Sequence, residues 1–265
     1  MKTYRYCAAF SMALISTQPA QAAMVLPSAA DSYSLGVEGF YDRYREPLTD
    51  VTQTTDYGSV TGTYMHNFGG MVGALDGRAS YGRDHYASAD GTDSGIPQYE
   101  AEGRMRLGTN ITSAGGSVLF PYVGGGVRYF VDKSKDTLTS LGFSGYDRRI
   151  TQFYAPVGAT YTCNLGGGWV MAPTAEYDQL ISGNVNSRLQ NDNGYNINNS
   201  QHSGYGMRGE VMFGQDSNGH GWEFGPFVRY WNIKDSDIAT APDASQWIEP
   251  ANTRLQAGLA LKVLW

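Results

Sequence analysis

The stretch LQAGLALKVLW, residues 255–265, sets the reading of the whole chain. Leu255, Ala257, Leu259, Leu261, Val263 and Trp265 share one parity; Gln256, Gly258 and Lys262 fall on the other. A period of two defines a strand with one apolar face. Soluble domains rarely finish on such a strand with a bulky terminal aromatic, so the remaining sequence must show what the apolar face touches.

The alternation recurs upstream. Ten strands are predicted, over residues 32–43, 57–66, 71–82, 98–108, 118–131, 149–162, 169–181, 201–213, 222–234 and 253–265. Long connections (REPLTDVTQTTD, GRDHYASADGTDSGIP, DKSKDTLTSLGFSGYDRR, SGNVNSRLQNDNGYNINNS, DSDIATAPDASQWIEPAN) alternate with short ones (NFGG, TNITSAGGS, CNLGGG, GQDSNGHG). Short turns at one end and long loops at the other are the pattern of an outer-membrane barrel. The expected fold is all-β: a ten-stranded antiparallel transmembrane β-barrel, an up-and-down meander occupying residues 23–265. An even strand count places both termini with the short turns, on the periplasmic side, and five long loops outside.

The aromatic residues sharpen this. Tyr33 and Tyr41, Phe153 and Tyr161, Trp169 and Tyr177, Tyr205 and Phe213, and Trp222 and Tyr230 are each eight apart on the charge-free parity. Eight residues rise about 26 Å along a strand, or about 20 Å in height at a tilt of roughly 40°, close to the ~25 Å apolar band between aromatic girdles. Tyr and Trp suit a girdle because the ring sits in lipid while its polar atom stays wet. A soluble sandwich has no reason to repeat that spacing on five strands.

The opposite parity then faces the lumen. It carries Glu38, Asp76, Arg78, Glu100, Glu102, Arg104, Arg106, Arg128, Glu176, Asp178, Arg208, Glu210, Glu223, Arg229, Arg254 and Lys262, with Phe120, Tyr122, Tyr154, Phe227 and Trp231 among them. Signs are mixed, and adjacent strands set acids beside bases: Glu176 and Asp178 beside Arg208, Glu100 and Glu102 beside Arg128. About 8 strands leave an interior that side chains can fill, whereas 16–18 leave an open channel. Ten strands therefore favour a plug of ion pairs over a narrow charge-lined pore, since paired charges satisfy one another away from water.

The N-terminus, MKTYRYCAAFSMALISTQPAQAAM, combines Lys2 and Arg5, a short apolar run and Ala20-Gln21-Ala22. These features predict an export signal peptide over residues 1–22. Its removal takes two bases and no acids, moving the formal net charge from −6 to −8. No basic patch points to nucleic acid. Only Cys163 would remain, so no disulfide framework is expected. With 34 Gly and 19 Tyr in 265 residues and a mean hydropathy of −0.37, hydropathy alone would suggest a soluble chain, but barrels give the same weak signal because only alternate residues meet lipid.

Catalytic chemistry finds little support. His66 and His220 are expected at the periplasmic end, His85 in an outer loop, and His202 near the outer rim, where Asp178 could orient it as a base. No nucleophile accompanies that pair, and no G-x-S-x-G, H-E-x-x-H or phosphate-binding loop occurs. The Asp/Gly stretch DGTDSG lacks the spacing of a calcium loop and reads as a turn. The omptin proteases, also ten-stranded, pair an Asp-x-Asp with an Asp-x-His at the outer rim. Here Asp235-Ser236-Asp237 lies in the last loop and no Asp-x-His occurs. No enzyme activity, cofactor or metal site is expected.

Five segments resemble a known family: YSLGVEGFYDRYREP (33–47), FPYVGGGVRYF (120–130), EYDQLISGNVNSRL (176–189), RYWNIKDSD (229–237) and EPANTRLQAGLALKVLW (249–265). They are similar to the porin-family, opacity-like outer-membrane β-barrel proteins of Gram-negative bacteria. The resemblance implies insertion in outer-membrane lipid and reading of the last strand by the barrel-assembly machinery, with Trp265 as the label. Members usually end in Phe; Trp265 keeps the aromatic character. The expected protein is a monomer with a structural or surface-interaction role through its loops. A narrow channel and a surface hydrolase are the alternatives.

Overall fold

The computed structural model describes residues 31–189, 194–217 and 220–265; the expected signal peptide lies outside them. Ten strands span the molecule: β1 Asp31–Glu46, β2 Val51–Asn67, β3 Met71–Ser88, β4 Gly91–Thr109, β5 Val118–Lys133, β6 Asp147–Gly166, β7 Trp169–Arg188, β8 Gly204–Ser217, β9 His220–Ile233 and β10 Asn252–Leu264. Each pairs antiparallel with its neighbours in sequence. β10 returns to β1, with Gly39 opposite Leu259 and Val37 opposite Leu261. Tyr33 and Trp265 exchange backbone bonds of 2.8 and 3.0 Å beyond the last paired strand residue. The barrel is thus closed, and no strand edge among the described residues is left for hydrocarbon to surround.

The parity expected from sequence is the parity observed. Along β1 the burial pattern alternates strictly from Leu35 to Tyr41, outward residues exposed and inward ones buried. Leu259, 65% exposed, and Met105, 64%, stand on the outer surface, while Glu38, Glu100 and Asp178 are buried. The aromatic rows form contacts along the barrel: Tyr33 stacks on Tyr64 and Trp265, and Trp169 meets Trp222 edge-on at the short-turn end. Tyr81 meets Tyr99, and Tyr205 meets both Tyr177 and Tyr230, at the other.

Inside, glycines lie against large side chains of the neighbouring strand. A Cβ on Gly126 would come 2.3 Å from the Tyr154 ring, and one on Gly206 would come 2.8 Å from Trp231. Small residues on one strand therefore make room for rings on the next, which fill the lumen with Phe40, Tyr57, Phe130 and Phe227 in one cluster and Tyr154, Leu180 and Trp231 in another.

Strand ends differ from the sequence expectation. The first connection is a four-residue turn, Pro47 to Asp50, and the third is a two-residue turn between Ser88 and Gly91. Residues 51–56, 83–88 and 91–97 are paired strand rather than loop. The turns hold the reason: Asp50 and Gly91 take positive φ, and Gly95 makes a bulge that lets β4 stay in register with β3. The alternation simply continues past the outer aromatic row. Extended loops remain after β5, β7 and β9, with a short strand, Asn196–Gln201, pairing β7 and a small hairpin, Ala239–Thr240 with Gln246–Trp247, in the last.

Candidate functional site

The lumen holds a charge network with two further ion pairs beside it, and every acid and base predicted for it is buried or half-buried on the inward parity. Near the short-turn end Lys262 meets Glu223 at 3.1 Å, and Arg106 grips Asp76 with two bonds of 2.7 and 2.8 Å. Arg104 reaches from β4 to Glu176 on β7 at 2.6 Å and also touches Asp76 at 3.3 Å. At mid-height Arg208 lies 2.7 Å from Asp178 and 3.0 Å from Glu176, and crosses the lumen to Glu102. Arg78 binds Glu100 at 2.8 Å and Glu102 at 3.1 Å, and Arg229 binds Glu38 at 2.6 Å. Higher, Arg128 meets Glu100 at 3.2 Å, Arg254 meets Asp42 at 3.3 Å, and Gln256 donates to Asp42 and Glu100 at 2.9 and 2.8 Å.

Several of these contacts join opposite walls. Glu102 is aligned with Arg128 in the β4–β5 register, yet its carboxylate turns to Arg208, Arg78 and the Tyr154 hydroxyl. The guanidinium groups are also faced by rings: Arg254 over Phe130 at 3.9 Å, Arg229 over Phe227 at 4.0 Å and Arg128 over Trp231 at 4.5 Å. A ring face attracts a cation and excludes water from it. A cavity of about 110 Å³ remains among Asp76, Arg104, Arg106, Glu210, Arg229 and Lys262.

A second cluster, at the end away from the termini, lies largely beyond the strand ends expected from sequence. Arg148 bonds Glu46 at 3.2 Å, Glu249 at 3.3 Å and Gln53 at 3.3 Å. Gln53 donates to Asp132 at 2.9 Å, and Thr55 to Asp84 and Gln98 at 3.0 and 2.9 Å. Glu249 belongs to the last loop, and its burial raises its pKa above the ordinary glutamate value despite Arg148. The strand members of this cluster share the lumen parity. A first strand that ends at Arg43 misses Glu46; carrying the alternation of Asp42 on through Tyr44 finds it.

The Asp178–His202 pair considered from sequence does not form. Asp178 is committed to Arg208, not to His202. His202 instead places Nε2 3.0 Å from Asp237 of the last loop, and both are largely exposed. His66 lies 2.8 Å from Asp31 at the short-turn end, and His85 pairs with Ser94 at 3.2 Å. Among the described residues no group of three or more His, Cys, Asp or Glu is arranged to hold a metal ion. Cys163 is free and half-buried.

A closed ten-stranded barrel with an apolar belt outside and paired charges within is the fold of outer-membrane β-barrel proteins. Among solved structures, the outer membrane protease OmpT from Escherichia coli superposes with a TM-score of 0.53, at 10% identity, over 89% of this chain and 96% of that one. The translocator domain of the autotransporter NalP from Neisseria meningitidis gives a TM-score of 0.44, at 10% identity, over 88% of each chain. The first of these likenesses establishes the fold and nothing finer. No family model matches the chain, and no curated protein sequence matches it.

Proposed function

We propose that this is an integral outer-membrane protein of a Gram-negative cell, with a lumen braced shut and its outer hairpins and loops as the working surface. The observation that carries the reading is the set of bonds between opposite walls: Arg104 to Glu176, Arg208 to Glu102 and Gln256 to Glu100. Groups that meet across a narrow lumen close it and satisfy one another. The five segments quoted above, between Tyr33 and Trp265, support the finer placement among opacity-like, porin-family barrels. Outer-membrane lipid and, during biogenesis, the barrel-assembly machinery are its partners; it acts as a monomer and not as an enzyme.

A narrow pore is the second reading, favoured by the cavity around Arg104 and Arg106. Planar-bilayer recording separates the two. The braced barrel gives no conductance steps. Repeated steps of stable size that change in Arg104→Ala or Arg128→Ala would establish the pore instead. The contact between His202 and Asp237 is the one feature favouring a surface hydrolase. Turnover of a peptide or lipid substrate that is lost in His202→Ala would overturn the non-enzyme reading.

A further inference from the structure

The outer end of the barrel contains a cavity of about 240 Å³. Its walls come from the β3–β4 hairpin, from the connection between β5 and β6, and from the adjoining ends of β1, β2, β5 and β6. The hairpin and the connection are tied together: Ser140 donates its backbone N–H to the Thr92 carbonyl at 2.7 Å, Thr92 donates its own to the Ser140 hydroxyl at 3.0 Å, and the Thr139 hydroxyl bonds the Asp90 carbonyl at 2.5 Å. The cavity is therefore built by specific contacts rather than left between independent loops.

Its lining is unbalanced in charge. Glu46, Asp90, Asp93 and Asp132 face it against one cation, Arg148. Arg148 is already engaged by Glu46, Glu249, Gln53 and, at 3.9 Å, Asp132. Asp93 uses Oδ1 to accept from the Ser94 N–H at 2.7 Å, while its Oδ2 is shielded from solvent without a hydrogen-bond partner. A shielded carboxylate oxygen without a partner is costly unless something donates to it. The remaining walls are aromatic: Tyr86, Phe143 and Tyr146.

From this combination we infer that the cavity binds a small organic cation, an ammonium group carried on an apolar or aromatic body. The carboxylates of Asp93 and Asp90 receive the ammonium hydrogens, and the rings take the body and the outer face of the charge. A bare metal ion fits less well, because it needs a shell of oxygen ligands and gains little from aromatic walls. This inference deepens the reading of the outer end as the working surface. Conductance tests that reading; ligand binding tests this one.

The probe is 2-phenylethylammonium, titrated calorimetrically into the refolded barrel in detergent, with 2-phenylethanol as the uncharged control and calcium as the metal control. The expected result is saturable one-to-one binding of the ammonium, with the alcohol and Asp93→Asn each weaker by about tenfold or more, the loss of a charge-assisted contact. Asp93→Asn removes the charge while its side-chain oxygen can still accept from the Ser94 N–H, and it is expected to keep the heat-dependent gel mobility of the folded barrel. Should it fail to fold, Tyr146→Leu removes a ring face instead and is expected to weaken the ammonium. Equal binding of the alcohol, unchanged affinity in the folded variant, binding of calcium alone, or no saturable binding each overturns the inference.

Discussion

Replacing Leu259 by arginine separates a lipid-facing surface from a water-facing one. Leu259 is 65% exposed and lies opposite Gly39 on β1 and Pro226 on β9. It stands six residues before Trp265 in the sequence. Six residues at ~3.3 Å each, inclined by roughly 40°, place it about 15 Å above the inner aromatic row, near the middle of the apolar band. An arginine there costs about 2–4 kcal/mol in a bilayer, whereas Val263→Arg, two residues from Trp265, costs about 0–1 kcal/mol. An exposed leucine in water would tolerate the same change within about 0.5 kcal/mol. Guanidinium unfolding of the barrel in phosphocholine vesicles reads the difference. If Leu259→Arg costs no more than Val263→Arg, the outward parity does not face hydrocarbon and the assignment of the two faces fails.

Three further outcomes are expected. Glu102→Gln leaves Arg208 and Arg78 short of one buried partner, but Asp178 at 2.7 Å and Glu100 at 2.8 Å remain; the loss should fall near the low end of the range for a broken buried pair, about 3 kcal/mol, measured by the same unfolding assay. Trp265→Ala keeps the backbone pairing with Tyr33 but removes the terminal ring, so the refolded protein should be stable while less heat-shiftable barrel accumulates in the outer membrane of cells; Trp265→Phe should restore it. Glu249 has a folded-state pKa raised by burial, so its protonated form is the one the fold favours: its contribution is best below the ordinary value of 4.5 and declines as pH rises through the raised one. The unfolding midpoint relative to Glu249→Gln should fall over that interval, and a constant difference would remove Glu249 as the cause.

The barrel was legible because a strand has a period of two and the membrane gives its two faces opposite solvents. A slip of one residue would put Glu100 and Glu102 into lipid and Tyr99 and Ala101 into the lumen, so the charges alone fixed the orientation of β4. Neighbouring pairs were legible for the same reason: Arg208 does meet Asp178 and Glu176, and Arg128 does meet Glu100. Contacts across the lumen were not. Whether Glu102 turns to Arg128 beside it or to Arg208 across from it depends on which rings fill the space between, and parity carries no information on that. The outer strand ends were hidden because polar residues occupy both faces once a strand leaves the membrane. Thr52, Thr54 and Asp56 resemble a loop by composition, although they pair with Ala87, His85 and Arg83.

The distribution of satisfied charge argues where recognition can occur. Within the span, Glu38, Asp42, Asp76, Glu100, Glu102, Glu176, Asp178 and Glu223 each have a cation in ion-pair range. A ligand entering there would have to displace a partner that is already close and poorly hydrated, and the gain of a new contact would be offset by the loss of the old one. At the outer cavity the order is reversed. Arg148 is shared among several acceptors, and the Asp93 Oδ2 has no donor. A cation arriving at that point adds a contact without breaking one. The acids of the span are thus closed to a ligand because each already holds a cation, whereas the Asp93 carboxylate at the β3–β4 hairpin is held by the Ser94 N–H and stands in no ion pair among the described residues.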